Sequence, residues 1–211
     1  MTRITHVLYL HGFRSSPRSS KARFLQHWFA NEFPHIHWEC PQLPASARES
    51  ALSIEHILRT WPAGSSLVIG SSLGGFYASW AAAKFNCAAC LLNPAVHPAR
   101  DLAGYIGVHA SWHDPDIMIE VKPEYTEELK ALYVSRALKL LPENEVTAAH
   151  IKQDTGNLLS MIATGDEVLD WQEMSARYPT DQQYIIQGSD HGITDFAEHI
   201  DVLKSFLNAM R

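Results

Sequence analysis

The sequence predicts an α/β protein, with a mainly parallel sheet of about six strands and helices on both faces. Two observations carry this. Short β-rich runs alternate with longer stretches of helical periodicity along most of the chain. The β-rich runs are apolar nearly throughout, as strands buried on both faces must be. In such a sheet the functional loops lie at the carboxyl ends of the strands.

Taken in order, "ITHVLYL" (4–10) reads as a strand ended by His11-Gly12, and "SSKARFLQHWFANEF" (19–33) as a helix with Phe24, Leu25, Trp28 and Phe29 on one face. "HIHWEC" (35–40) is a strand stopped by "PQLP". "ARESALSIEHILRTW" (47–61) is a helix whose apolar residues are Leu52, Ile54, Ile57 and Leu58, closed by Pro62-Ala63-Gly64. "SLVIG" (66–70) is a short buried strand, "LGGFYASWAAAKF" (73–85) an alanine-rich helix and "AACLLNPAV" (88–96) a strand. The alternation then breaks from about 97 to 153. There, 98–106 suits a short helix, 107–116 reads as irregular, and 122–141 as an amphipathic helix with Pro123 in its first turn. Strand, helix and strand resume at 158–164, 167–178 and 182–188, and a helix over 193–210 closes the chain. A single domain over 1–211 is expected, with 97–153 as a cap-like, helical insertion over the site.

The 211 residues are enough to bury a large core without disulfides or metals. The formal net charge is −6 and no basic run occurs, which argues against nucleic acid as a partner. The early apolar stretch "HVLYLHGF" is too short to span a bilayer, and no small-residue cleavage site follows it. A cytoplasmic protein without an integral membrane segment is expected. Three cysteines, Cys40, Cys87 and Cys90, do not suggest a disulfide framework. "CAAC" has C-x-x-C spacing but runs into an apolar strand, so buried thiols fit it better than a redox pair.

"GSSLG" (70–74) matches G-x-S-x-G with Ser72 at its centre. That motif is a sharp strand-to-helix turn which lifts one side chain above the sheet, and the residues two positions away must be small. Gly70 and Gly74 meet this need around Ser72. Around Ser71 the same places would hold the bulky Ile69 and Leu73. Ser72 is therefore the candidate nucleophile. A serine hydroxyl needs a base. Of twelve histidines, His191 in "QGSDHGITDF" follows the last predicted strand on a loop of small residues, whereas His199 falls inside the final helix. The base needs a carboxylate. Asp166 in "IATGDEVLDW" follows the strand 158–164. Asp170 lies a helical turn further on, and Asp190 is the sequence neighbour of His191. The order Ser72…Asp166…His191 is that of α/β-hydrolases. Two backbone N–H groups would stabilise the oxyanion, that of Leu73 and that of Phe13 in the loop "LHGFRSS". His11 is expected to brace that loop.

The stretches "LYLHGFRSSPRSSKA", "CPQLP", "VIGSSLGGFYASW", "LLNPAV", "ATGDEVLDW" and "SDHGITDF" resemble the YqiA/YcfP-like family of small esterases in the α/β-hydrolase superfamily. The resemblance implies a reduced hydrolase sheet and serine esterase or thioesterase activity. It places the nucleophile, acid and base on Ser72, Asp166 and His191. Ser189, Gly192 and Ile193 stand where this family often has glycines and an aromatic residue.

Other features carry blander readings. His109 and His113, with Asp114, have metal-ligand spacing but sit in an irregular stretch, so no metal is expected. Arg14, Arg18 and Lys21 could attract an anionic substrate such as a coenzyme A ester, but charges at a helix start are more often solvated. Tyr125, Leu129 and Leu132 suit core packing rather than an acyl pocket. The function expected is a serine carboxylic-ester hydrolase without cofactor. It would act on small short- to medium-chain acyl esters or thioesters. The alternative is a hydrolase-fold binding or scaffold protein with a vestigial site. Oligomeric state, acyl chain length and ester-versus-thioester preference leave no mark on the sequence.

Overall fold

A computed structural model describes residues 3–112, 114–133 and 157–210. The chain begins with β1 (His6–Leu10), α1 (Ser20–Glu32), β2 (His37–Glu39) and α2 (Ala47–Thr60). β3 (Ser66–Ser71), α3 (Leu73–Phe85), β4 (Ala88–Leu92) and α4 (Pro98–Ala103) follow. Next come β5 (Gly107–Ala110), β6 (Met118–Val121) and α5 (Pro123–Tyr133). The chain closes with β7 (Leu158–Ala163), α6 (Trp171–Arg177), β8 (Gln183–Ile186) and α7 (Ile200–Ala209).

Six strands form one sheet in the order β2-β1-β3-β4-β7-β8, and every neighbouring pair is parallel. The pleat sends alternate residues to opposite faces. On one face Leu8, Leu10 and Val68 join a core with residues of α2, α3, α4, α5 and α6. On the other, Val7, Tyr9, Leu67 and Ile69 pack with α1 and α7. Both faces are thus covered, which explains the apolar runs of the inner strands β1, β3, β4 and β7. The β4 thiol Cys90 and its neighbour Cys87 are buried and free, in keeping with the bland reading of the C-x-x-C spacing.

Helix boundaries follow capping chemistry. Ser19 accepts from the Ala22 N–H to start α1, and Ser46 accepts from the Glu49 N–H to start α2. α6 begins four residues later than periodicity predicts. Asp166 takes the Val168 and Leu169 N–H groups in a turn, and Asp170 then caps the helix by accepting from Gln172. Asp170 is therefore a structural cap. In α2 the apolar reading holds for Ile54, Ile57 and Leu58, but Leu52 is exposed, because Ala47, Ser50 and Ala51 supply the rest of the buried face.

Within 97–133 the structure departs from the sequence reading. Residues 107–110 are not irregular but pair with 118–121 as an antiparallel two-stranded ribbon, with Gly107 opposite Val121 and Ala110 opposite Met118. Outward-facing Val108, Ile117 and Met118 hide the alternation that would have announced it. In α5, Leu129 is buried and Tyr125 and Leu132 pack beside it, as core residues. The remainder of the helix expected over 122–141 lies outside the described residues, as does His113. Among the described residues no helix is long and apolar enough to cross a membrane, and no three His, Cys, Asp or Glu side chains group to hold a metal ion.

Candidate active site

The site lies where β1, β3, β4, β7 and β8 end. Ser72, between β3 and α3, has φ 57° and ψ −122°, a strained conformation for a residue with a Cβ. Backbone bonds hold it: its N–H donates to Leu92 O at 3.0 Å, and its carbonyl accepts from Gly75 N at 2.8 Å, Ala95 N at 3.0 Å and Phe76 N at 3.3 Å. The flanking glycines are required by space. A Cβ on Gly70 would run into the Gly74 carbonyl and sit 2.7 Å from Gly75 N. One on Gly74 would collide with the Leu10 carbonyl and approach His11 O to 2.7 Å.

Asp166 and His191 come together across the ends of β7 and β8. His191 Nδ1 and Asp166 Oδ2 are 2.7 Å apart. The Asp166 side chain is 0% exposed and that of His191 20%. The carboxylate is fully used, since Oδ1 accepts from Val168 N and Leu169 N at 2.8 Å each. Accepting from Nδ1–H leaves Nε2 as the acceptor nitrogen of the imidazole. The His191 backbone N–H donates to Glu167 Oε2 at 2.9 Å. No hydrogen bond joins Ser72 Oγ to His191 among the described residues. Both side chains line one cavity of about 490 Å3, and such bonds commonly tighten only around a substrate.

Phe13 and Leu73 line the same cavity. Among the described residues neither backbone N–H has an intramolecular acceptor, so both donors are available. Gly12 brings the first loop against the serine: a Cβ there would be 3.2 Å from Ser72 Cβ. His11, 3% exposed, fixes this loop. Its Nδ1 is 2.9 Å from Gly12 O, and its Nε2 accepts from Leu43 N at 3.0 Å. His199, by contrast, lies 3.4 Å from Asp195 at the start of α7.

Sequence reasoning missed Asn93. Fully buried just after β4 with φ 42°, it donates from Nδ2 to the carbonyls of Asp190 and His191, each at 3.1 Å. Its Oδ1 accepts from Ala163 N at 2.8 Å. One side chain thereby ties β4 to β7 and to the His191 loop. Its signal was the Asn-Pro pair after a strand, since asparagine tolerates positive φ. Lys21 also corrects the sequence reading. It is not solvated at a helix start, but turns into the cavity with Nζ 3.3 Å from Ser71 Oγ. Arg18 does face solvent, 3.7 Å from Asp114. Arg14 donates to Ala110 O at 2.7 Å and stacks over Trp112 at 4.1 Å.

A fully parallel sheet, a strained strand–serine–helix turn and a buried Asp–His pair at the strand ends define an α/β-hydrolase fold. Solved structures share it over nearly the whole chain. The esterase Pf2001 from Pyrococcus furiosus superposes with a TM-score of 0.61 at 14% identity, covering 98% of this chain and 81% of that one. A monoacylglycerol lipase from Paleococcus ferrophilus gives 0.64 at 12%, covering 99% and 96%. Mouse alpha/beta hydrolase domain-containing protein 10 gives 0.63 at 13%, covering 96% and 92%. Within this fold the chain belongs to the uncharacterised protein family UPF0227, whose family model matches residues 6–208. It is the family that the sequence motifs resemble.

Proposed function

We propose that this protein is a serine carboxylic-ester hydrolase, an esterase or thioesterase acting on short- to medium-chain acyl esters. The observation that carries the reading is the 2.7 Å Asp166–His191 pair sharing a cavity with the strained Ser72. Ser72 Oγ attacks the acyl carbonyl while His191 Nε2 takes its proton. The Phe13 and Leu73 N–H groups receive the developing oxyanion. The tetrahedral intermediate collapses as His191 protonates the leaving alcohol or thiol, which leaves the acyl group on Ser72. Water, deprotonated by His191, then releases the acid and restores the serine. Asp166 holds the imidazole in the accepting tautomer and offsets its charge.

The chain is one domain, and the described residues 97–112 and 114–133 of the segment expected to be an insertion act as a cap beside the site. In support, Pro98, Leu102, Tyr105 and Trp112 line the cavity. The compartment is the cytoplasm, in line with three free thiols. The similarity to an esterase and a lipase supports hydrolysis as the class of reaction.

The test is hydrolysis of p-nitrophenyl butyrate together with fluorophosphonate labelling, for the wild type, Ser72→Ala and Ser71→Ala. The expected result is that only Ser72→Ala loses both turnover and label. A folded wild type that neither turns over nor labels overturns the reading in favour of a binding protein.

A further inference from the structure

The reaction described above makes no use of Lys21. The first turn of α1 carries it into the cavity, where burial lowers its ammonium pKa to about 8, with Asp190 and Asp166 opposing the shift at longer range. Among the described residues its one polar contact is the neutral Ser71 hydroxyl, beside the nucleophile. Among the described residues no carboxylate lies within ion-pair distance of it. The nearby acids are engaged elsewhere. Asp166 serves His191, Val168 and Leu169, and Asp190 accepts from Thr194 N at 2.9 Å and Thr194 Oγ1 at 3.1 Å. The two acidic residues on the cavity wall are engaged as well. Glu167 accepts the His191 N–H, and Asp101 pairs through Oδ1 with Arg100 at 2.9 Å, its buried Oδ2 being without a hydrogen-bond partner among the described residues.

A cation withdrawn from water without a counter-ion is costly, and proteins complete such groups with a partner. Here the cavity leaves room for that partner to be the ligand. The cavity also has two characters. Leu73, Ala95, Leu102 and Leu169 give an apolar wall suited to an acyl chain, whereas Ser15, Ser19, Ser20 and Lys21 bring hydroxyls and a charge from one short segment. The Tyr9 hydroxyl lies next to Ser71 on that polar side.

We infer that Lys21 and Ser71 form a subsite for a carboxylate carried by the ester substrate, so that the enzyme selects acyl esters bearing a second, anionic group. The inference rests on the esterase reading for its substrate but not for its binding site. Lys21 is then a specificity-determining residue. The Lys21 ammonium donates to the carboxylate, the Ser71 hydroxyl supports it, and neither takes part in bond making.

Two measurements test it. The first compares kcat/KM for 3-butyryloxybenzoate and for its neutral methyl ester in the wild type, Lys21→Met and Lys21→Gln. Loss of a charge-assisted hydrogen bond should lower the anionic-to-neutral ratio by about tenfold or more in both variants. An unchanged ratio, or equal losses on the two esters, overturns the subsite. The second is calorimetric binding of 3-hydroxybenzoate to Ser72→Ala protein with and without Lys21→Met. Binding weakened at least tenfold by the second substitution is expected. No binding, or equal affinity, overturns the inference even if no ester is turned over. Lysine-dependent binding without hydrolysis of either ester would sink the esterase reading and leave the subsite standing.

Discussion

Asp166 divides its carboxylate between two tasks, and that division makes a clean test of its role. One oxygen closes the turn at Val168 and Leu169, and the other faces His191 Nδ1. In Asp166→Asn the amide oxygen can keep the turn. The amide NH2 then faces Nδ1 and forces the proton to Nε2, where the imidazole can no longer accept the Ser72 proton. A fall in kcat of roughly 10³- to 10⁴-fold is expected, with the circular dichroism spectrum and urea midpoint near those of the wild type. Full activity in a folded Asp166→Asn protein would remove Asp166 from the mechanism. Ser72, Asp166 and His191 could be picked out of the sequence because each follows an apolar run on a turn of small residues. Asn93 and Lys21 could not. Asn93 acts through carbonyls about a hundred positions away, and Lys21 looks like an ordinary helix-start charge until α1 is docked against β3.

The elements near the site are placed by close backbone approach rather than by side-chain volume. α3 starts directly against the end of β1, so Gly74 touches the Leu10 and His11 carbonyls, and Gly75 faces Pro94, whose Cα would be 2.8 Å from an added Cβ. Gly74→Ala must therefore push α3 off β1. A loss of about 1–3 kcal/mol in urea unfolding is expected. Esterase turnover should fall as well, since Leu73 and Ser72 move with the helix. A variant as stable and active as the wild type would show that the elbow tolerates a Cβ. The inner parallel strands β1, β3, β4 and β7 were legible because burial on both faces makes them nearly continuous apolar runs. The β5–β6 ribbon was not. Its Val108 and Met118 are 60% and 57% exposed, so neither the buried-run nor the half-buried pattern applied. Periodicity places the start of α6 four residues too early, because side-chain capping by Asp166 and Asp170 overrides it.

At the scale of the whole molecule, a sheet covered on both sides buries groups whose ionisation then reports on folding. Cys87 and Cys90 are 6% and 0% exposed. Burial pushes both thiols from their ordinary 9.0 up to about 12, with Lys21 opposing this for Cys90. Their folded pKa is raised, so their contribution is fully present below pH 9. It is lost as the pH climbs from 9 toward 12, where the unfolded chain releases protons that the folded one retains. Each thiol should cost about 1.4 kcal/mol of stability per pH unit in that window. Lys21 acts in the opposite direction. Its folded pKa of about 8 lies below its ordinary 10.5, so between those values the unfolded chain holds a proton the folded one has lost, and stability rises. The two effects overlap from pH 9 to 10.5, which makes the wild-type profile alone uninformative. The comparison of wild type with a Cys87→Ala/Cys90→Ala variant isolates the thiols. Unfolding free energies from urea titrations at pH 8, 9, 10 and 11 should show a constant offset up to pH 9, set by the two small packing changes. Above pH 9 the variant should gain on the wild type with each step. A gap that stays constant to pH 11 would mean that the two thiols are not held protonated by the fold.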